Sequence, residues 1–200
     1  MFYKYVIKRV LDFLISLVLS PFLLVIIVLM IPIYFYLDKG PMFYISHRLG
    51  KNGVPFKMFK FRTMIINAPD IRLEDGSTFN SDDDPRLTKT GRFLRKTSLD
   101  ELPQIINVLV GDMSFIGPRP DPIDWLDKYT EEERIFLNVK PGISGYNQAY
   151  FRNSADSVTK IKNDVYYANH ISIMLDIKIL LKTFRTVLLH ENLFVGESRK

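Results

Sequence analysis

Phe13 to Leu37 reads FLISLVLSPFLLVIIVLMIPIYFYL, 25 consecutive residues without a charge. A helix of about 20 predominantly apolar residues crosses a bilayer core, so this run is long enough to enter a membrane. It is too long for the apolar core of a cleaved signal peptide, and no small-residue cleavage site follows it. Both flanks are basic: Lys4, Lys8 and Arg9 precede the run, and Lys39, Arg48, Lys51, Lys57 and Lys60 follow it. Positive charge close to a membrane segment prefers the cytoplasm. A straight span satisfies one flank only, whereas a hairpin that returns to its face of entry satisfies both. Ser20–Pro21 offers a place to turn, because proline lacks the helical N–H and clashes with the carbonyl four residues back. Ser20 or neighbouring protein would meet the freed carbonyls. On these residues a kinked spanning anchor and a re-entrant helix-break-helix both remain open, and the double positive flank favours the hairpin.

Outside this run the chain is strongly charged. The apolar share of 47% over 200 residues suits one ordinary core and does not imply several membrane spans. Cysteine is absent, which excludes disulfides, thiolate zinc sites and cysteine nucleophiles. A net charge of +5 favours anionic partners, namely phosphates, nucleotides or an acidic bilayer surface. Nucleic acid is not expected, since the positive charge is dispersed and no binding module is recognisable.

After Lys39-Gly40-Pro41, residues 43–64 hold Gly50 and Gly53 in a turn, followed by Phe56 to Arg62, a short strand carrying bases on both faces. Residues 65–85 are polar and turn-rich, a loop. Residues 88–96 read as a basic helix on which Arg92 shares a face with Arg95 and Lys96. A second helix is expected from Ser98 to Val110, closed by Gly111, although Pro103 argues for a bend or a later start. An acidic helix bearing Trp125 is expected over 122–138, and a turn over 141–145. From His170 to Leu189 the chain is apolar but for Asp176 and a stripe at Lys178, Lys182 and Arg185, suited to a membrane interface or to a core helix with one wet face.

Several residues could carry chemistry. Asp100–Glu101 follow the basic helix, so that one carboxylate could attack phosphorus while the other holds a divalent metal. Ser98-Leu99-Asp100-Glu101 equally fits a capping box. Gly117-Pro118-Arg119-Pro120 brackets one arginine with prolines, suiting a phosphate clamp or a structural ion pair. Arg152, Asp164 and the tyrosines at 146, 150, 166 and 167 form a looser polar-aromatic group. Asp82 and Asp84 match the D-x-D pattern by which metal-dependent glycosyltransferases hold a nucleotide diphosphate. His47, His170 and His190 have no metal-ligand spacing.

The elements in their order resemble the bacterial sugar transferase family, the monotopic phosphoglycosyl transferases. The resemblance covers nearly the whole chain: Lys8-Arg9 with Asp12-Phe13, Ser20–Pro21, Lys60-Phe61-Arg62-Thr63-Met64, Asp84 to Lys96, Ser98 to Gln104, Gly111-Asp112-Met113-Ser114, Gly117-Pro118-Arg119-Pro120, Lys140 to Gly145 and Asp164-Val165-Tyr166-Tyr167. It implies an α/β, mostly α fold in the small catalytic-core form. Residues 1–39 would form a re-entrant membrane hairpin bent at Ser20 and Pro21. Residues 40–200 would form a cytosolic, membrane-associated catalytic domain with amphipathic interfacial helices and a short β-hairpin. The location implied is the cytoplasmic face of the bacterial inner membrane.

The implied activity moves a sugar-1-phosphate from a UDP-sugar to polyprenyl phosphate and releases UMP through an aspartyl intermediate on Asp100. Glu101, with Asp100, would bind Mg2+. Arg119 and Arg152 would hold phosphate oxygens, with Lys60, Arg62, Arg92, Arg95 and Asp164 as neighbours. Tyr146 stands where members often carry tryptophan, Phe151 where glycine often precedes the arginine, and His47 where glutamine is usual, which touches the sugar and base pocket. The sugar, the pathway and the oligomeric state, a homodimer included, stay open. Two other readings are a metal-dependent glycosyltransferase using Asp82 and Asp84, and a non-catalytic membrane-anchored scaffold.

Overall fold

The computed structural model describes residues 2–72, 79, 81, 83–152 and 154–189. The apolar run is helical throughout. α1 covers Lys8–Ile33, and wider π-type turns extend it at both ends, making a helix from Tyr3 to Asp38 of 36 residues, long and apolar enough to cross a membrane. Ser20 and Pro21, expected as a break between two helices, lie inside α1 instead. The Ser20 hydroxyl donates to the Ser16 carbonyl at 2.7 Å rather than to Leu17, the carbonyl that Pro21 deprives of its N–H.

One narrow stripe of this helix is buried: Asp12, Ser16, Leu23, Met30 and, beyond it, Tyr34. Their spacings of four and seven follow the helical repeat, so they share a face. Elsewhere the helix exposes large apolar side chains, among them Val18, Phe22, Leu24, Val25 and Leu29, an arrangement that water does not tolerate and lipid does. Both ends are tied to the rest of the protein. Arg9 caps the last carbonyls of one helix, donating to Val108 at 2.8 Å and Leu109 at 3.1 Å. Lys8 pairs with Asp176 at 2.5 Å, and Asp12 accepts from Ser114 and the Phe115 N–H. At the far end the Tyr34 hydroxyl donates to the Arg62 carbonyl, and Thr88 donates to Asp38 at 3.0 Å.

The expected hairpin is present. β1 (Phe43–Leu49) pairs antiparallel with β2 (Pro55–Phe61), in register from Phe43 opposite Phe61 to Leu49 opposite Pro55. Phe61 packs with Met30, Tyr34 and Leu94, which seats α1 on the hairpin. α2 (Lys89–Thr97) starts at Thr88, whose hydroxyl accepts from the Gly91 N–H at 2.9 Å. A Cβ at Gly91 would lie 1.9 Å from the Thr63 carbonyl oxygen, so glycine alone lets α2 approach the strand end this closely.

The helix expected over 98–110 is split. Ser98 takes a left-handed conformation (φ 58°), Leu99–Glu101 form a single 3₁₀ turn, and α3 (Gln104–Val110) begins after Pro103. Proline is tolerated at a helix start and not within one. Gly111 closes α3 at φ 101°, as its position predicts. The helix expected over 122–138 is instead two 3₁₀ segments, Ile123–Lys128 and Glu133–Asn138. Between them Tyr129 is extended and buried, and Thr130 and Glu133 cap each other reciprocally to start the second segment. The turn expected over 141–145 contains a strand: β4 (Gly142–Ser144) runs parallel to β3 (Ser114–Ile116), close enough that a Cβ at Gly142 would meet the Gly117 nitrogen at 2.1 Å.

α4 (Tyr146–Tyr150), α5 (Ser157–Asn169) and α6 (Ile173–Leu188) complete the protein. α6 buries Asp176, Ile179 and Thr186 and exposes Ile173, Met174, Ile177, Leu181 and Phe184. Its outward face carries these apolar residues together with exposed Lys178 and Arg185, which bears on the choice left open by its sequence. His190 lies outside the described residues.

Candidate active site

The break between α2 and α3 sets Asp100 and Glu101 on a tight turn facing the end of β2 and the Gly117–Pro120 loop. Asn107, fully buried, fixes that turn to the strand: its side chain accepts from the Phe59 N–H at 3.0 Å and donates to the Lys57 carbonyl at 2.7 Å. Lys60 is thereby held over the turn. Lys60 Nζ and Arg119 Nη2 donate to the same oxygen, Glu101 Oε1, at 2.7 and 3.0 Å. The Arg119 side chain is 41% exposed, so much of its guanidinium remains available to a ligand.

The two carboxylates differ. Glu101 is gripped by two cations, whereas Asp100 has no hydrogen-bond or ion-pair partner among the described residues. Burial pushes the Asp100 carboxyl up to about 6, with Lys60, Arg95 and Arg119 opposing and the Glu101 carboxylate adding to the rise. Burial acts upward on Glu101 too, but Lys60 and Arg119 outweigh it and hold that carboxyl well below the usual range. The Lys60 ammonium is pushed down by burial and partly restored by Glu101.

Two further arginines close the cluster. Arg95 Nε donates to Thr63 at 3.1 Å, and Asp100 is the strongest charge acting on it. Arg152 sits just beyond α4 in a left-handed conformation (φ 52°), and its Nη2 donates to the Ser98 hydroxyl at 3.0 Å. The charges of Glu101 and Asp100 reach it there. Ser98 makes no side-chain capping bond, so its hydroxyl receives Arg152 and the capping-box reading of this turn fails.

Other expected residues lie elsewhere. Arg62, 6% exposed, donates to the carbonyls of Pro41, Met64 and Asp38 and stacks over Tyr34, so it clamps the end of α1. Arg92, on α2, lies 4.0 Å from Asp83. Asp164 is fully buried, and burial pushes its carboxyl up to about 6 against the pull of Lys160. Lys160 lies 3.2 Å from Asp164 and 2.6 Å from Asp121, which also accepts from Tyr129. This network underpins the Arg119 loop from behind. Sequence reasoning missed Lys160, Asp121 and Asn107; Asp121, next to Pro120, was the one with a positional signal.

Asp84 is fully buried and clasped by Arg86 at 2.7 and 2.9 Å, so it is committed to that pair; Asp82 lies outside the described residues. The D-x-D pattern thus lacks its second ligand. No group of three or more His, Asp or Glu gathers for a metal among the described residues. The pair at Asp100 and Glu101 still suits Mg2+, which takes one or two carboxylates and fills its shell with water and substrate phosphate.

A family model described as bacterial sugar transferase matches residues 3–190. The galactosyl transferase CpsE of Streptococcus agalactiae serotype III is 45% identical over 160 residues, covering 76% of this chain and 36% of that protein. The undecaprenyl-phosphate galactose phosphotransferase of Salmonella typhimurium is 39% identical over 182 residues, covering 82% of this chain and 38% of that one. The exopolysaccharide production protein ExoY of Sinorhizobium fredii is 36% identical over 193 residues, covering 91% of this chain and 85% of its own length. The chain therefore spans little more than a third of the first two relatives.

Proposed function

The chain belongs to the bacterial sugar transferase family, and from that premise we propose that it transfers a sugar-1-phosphate from a UDP-sugar to polyprenyl phosphate, an early membrane step of bacterial glycoconjugate assembly. The observation that carries this reading is an uncommitted carboxylate, Asp100, ringed by Lys60, Arg95, Arg119 and Arg152. The cations outnumber the carboxylates, which suits a diphosphate.

In the first half-reaction an Asp100 oxygen attacks the sugar-proximal phosphorus. The bond from that phosphorus to the bridging oxygen breaks, and its electron pair leaves with UMP. In the second half a polyprenyl phosphate oxygen attacks the same phosphorus and the Asp100 carboxylate departs. Arg119 and Arg152 stabilise charge on the phosphoryl oxygens, and Lys60 holds Glu101 ionised beside them. Glu101, with Asp100, would hold Mg2+, which when bound neutralises diphosphate charge. Given UDP-sugar and Mg2+ without the lipid, the protein is expected to release one UMP per active site and to gain the mass of a sugar phosphate on Asp100. UMP that appears only after lipid is added, with no adduct on Asp100, breaks the two-step reading, and release of UDP breaks the reaction class.

In the same reading, residues 1–39 enter the inner membrane from the cytoplasmic face and return to it, with residues 40–200 on that face. Support comes from the two basic flanks and from contacts at both ends of α1 with residues of 40–200, Asp12 with Ser114 and Phe115 of β3 and Tyr34 with Arg62 after β2. Cysteines placed at Tyr3 and Lys39 should both resist an impermeant thiol reagent in intact cells; labelling of one alone means a spanning helix.

A further inference from the structure

The first turns of the N-terminal helix border a cavity of about 120 Å³ that shares no residue with the carboxylate pair. Lys4, Tyr5, Lys8, Arg9 and Asp12 line it from that helix, Lys51 reaches it from the β1–β2 turn, and Lys140 from the segment before β4. Five of its side chains are thus cationic and only Asp12 is acidic. Two of the five have hydrogen-bond or ion-pair partners among the described residues: Lys8 pairs with Asp176, and Arg9 caps α3. Lys4 and Lys51 lie over the Tyr5 ring, 5.6 and 6.0 Å from its centre. Lys140 has no hydrogen-bond or ion-pair partner among the described residues. Asp12 accepts from Ser114 and the Phe115 N–H, so part of its capacity is taken.

Like charges gathered round a cavity repel unless an anion joins them. The Lys140 ammonium registers this: burial pushes it down first, then the charge of Arg9 and, less, that of Lys51, against the opposing pull of Asp12 and Asp112. The volume has room for several water molecules. This admits a phosphate group and is well below the roughly 300–1,000 Å³ of sites for larger ligands such as a nucleotide. The position selects among phosphates. The cavity lies at the point where the charge-free run begins, beside the exposed side chains of Phe2, Tyr5 and Val6; with that run in a bilayer, as proposed above, it comes to headgroup level.

We propose that this cavity binds the phosphodiester of an anionic phospholipid headgroup, at a site distinct from the one at which phosphorus is transferred. The proposal does not depend on the role of Asp100. Native mass spectrometry of the full chain, offered phosphatidylglycerol, phosphatidylcholine or inorganic phosphate, tests it. Phosphatidylglycerol should be retained over phosphatidylcholine, whose own cation neutralises its phosphate. K51Q/K140Q should weaken retention about 30-fold, from roughly fivefold for each cation near an anionic surface, whereas K51R/K140R should keep it. Equal retention of phosphatidylglycerol by the protein and by K51Q/K140Q overturns the site. Binding of inorganic phosphate without phosphatidylglycerol overturns the lipid source. Loss of the UMP burst in K51Q/K140Q, with K51R/K140R active, overturns the separation from the catalytic cluster.

Discussion

Glu101 and Asp176 each accept from a lysine at hydrogen-bond distance, Lys60 at 2.7 Å and Lys8 at 2.5 Å, yet their surroundings differ. Asp176 completes its set with two neutral hydroxyls, Tyr3 at 2.5 Å and Tyr167 at 2.7 Å, under the start of α1. Glu101 adds a second cation, half-exposed Arg119, and has next to it a carboxylate that no described residue holds by a hydrogen bond or ion pair. The first cluster is balanced, and joins α1, α5 and α6. The second carries surplus positive charge and an open nucleophile, which raises the energy of the empty site and suits it to a polyanion. Where a charge cluster is balanced it anchors; where it is left unbalanced and reachable it binds.

The sharpest break of this comparison pairs one substitution from each cluster. Asp100→Asn should cost turnover by about 10⁴-fold or more, as losses of nucleophiles do, with the thermal midpoint retained. If Asp100→Asn turns over at a tenth of the normal rate, Asp100 is no nucleophile. Arg119→Lys keeps the charge and loses the fork, for an expected loss of roughly 10²–10³ in rate; near-normal activity would make the contact to Glu101 merely structural. Asp176→Asn should lower stability in detergent by about 3 kcal/mol, because it strands Lys8 in a half-buried site, while turnover per folded molecule holds. A fall in turnover without a fall in midpoint would move Asp176 into the reaction.

The smallest effect is the most discriminating. Asp100 acts ionised, and its carboxyl is raised to about 6. The rate of the UMP burst should therefore fall as pH drops through that value. Glu101→Gln removes a like charge and frees Lys60 and Arg119 to act on Asp100, so the acid limb of the residual activity should move to lower pH. A limb that stays in place means that another group governs it.

Much of this was legible beforehand. The hairpin of β1 and β2, the basic helix α2 and the α3 stop at Gly111 follow from alternation, charge spacing and a glycine, all local signals. The misreadings are local too. The 122–138 segment has acidic helical spacing, but burial of Tyr129 and the Thr130–Glu133 cap break it in two. Arg62 follows Lys60 by two residues, and the resemblance puts both beside the phosphates. The strand ends at Phe61, and Arg62 turns to the carbonyls at the end of α1. Arg92 shares a helix with Arg95 yet faces Asp83.

By itself the sequence determined that a charge-free run enters a membrane between basic flanks, that Asp100–Glu101 follow a basic helix, and that Arg119 is bracketed by prolines, because each depends on residues close along the chain. Tertiary structure decided which cations meet which carboxylates. Lys60 and Arg119 come to Glu101 from 41 and 18 residues away, and Asp176 reaches Lys8 across 168. Such pairings are selected by the packing of β2, α3 and α6 on α1, where burial makes an unpartnered charge costly, and a cost set by surroundings leaves no mark in the spacing of residues.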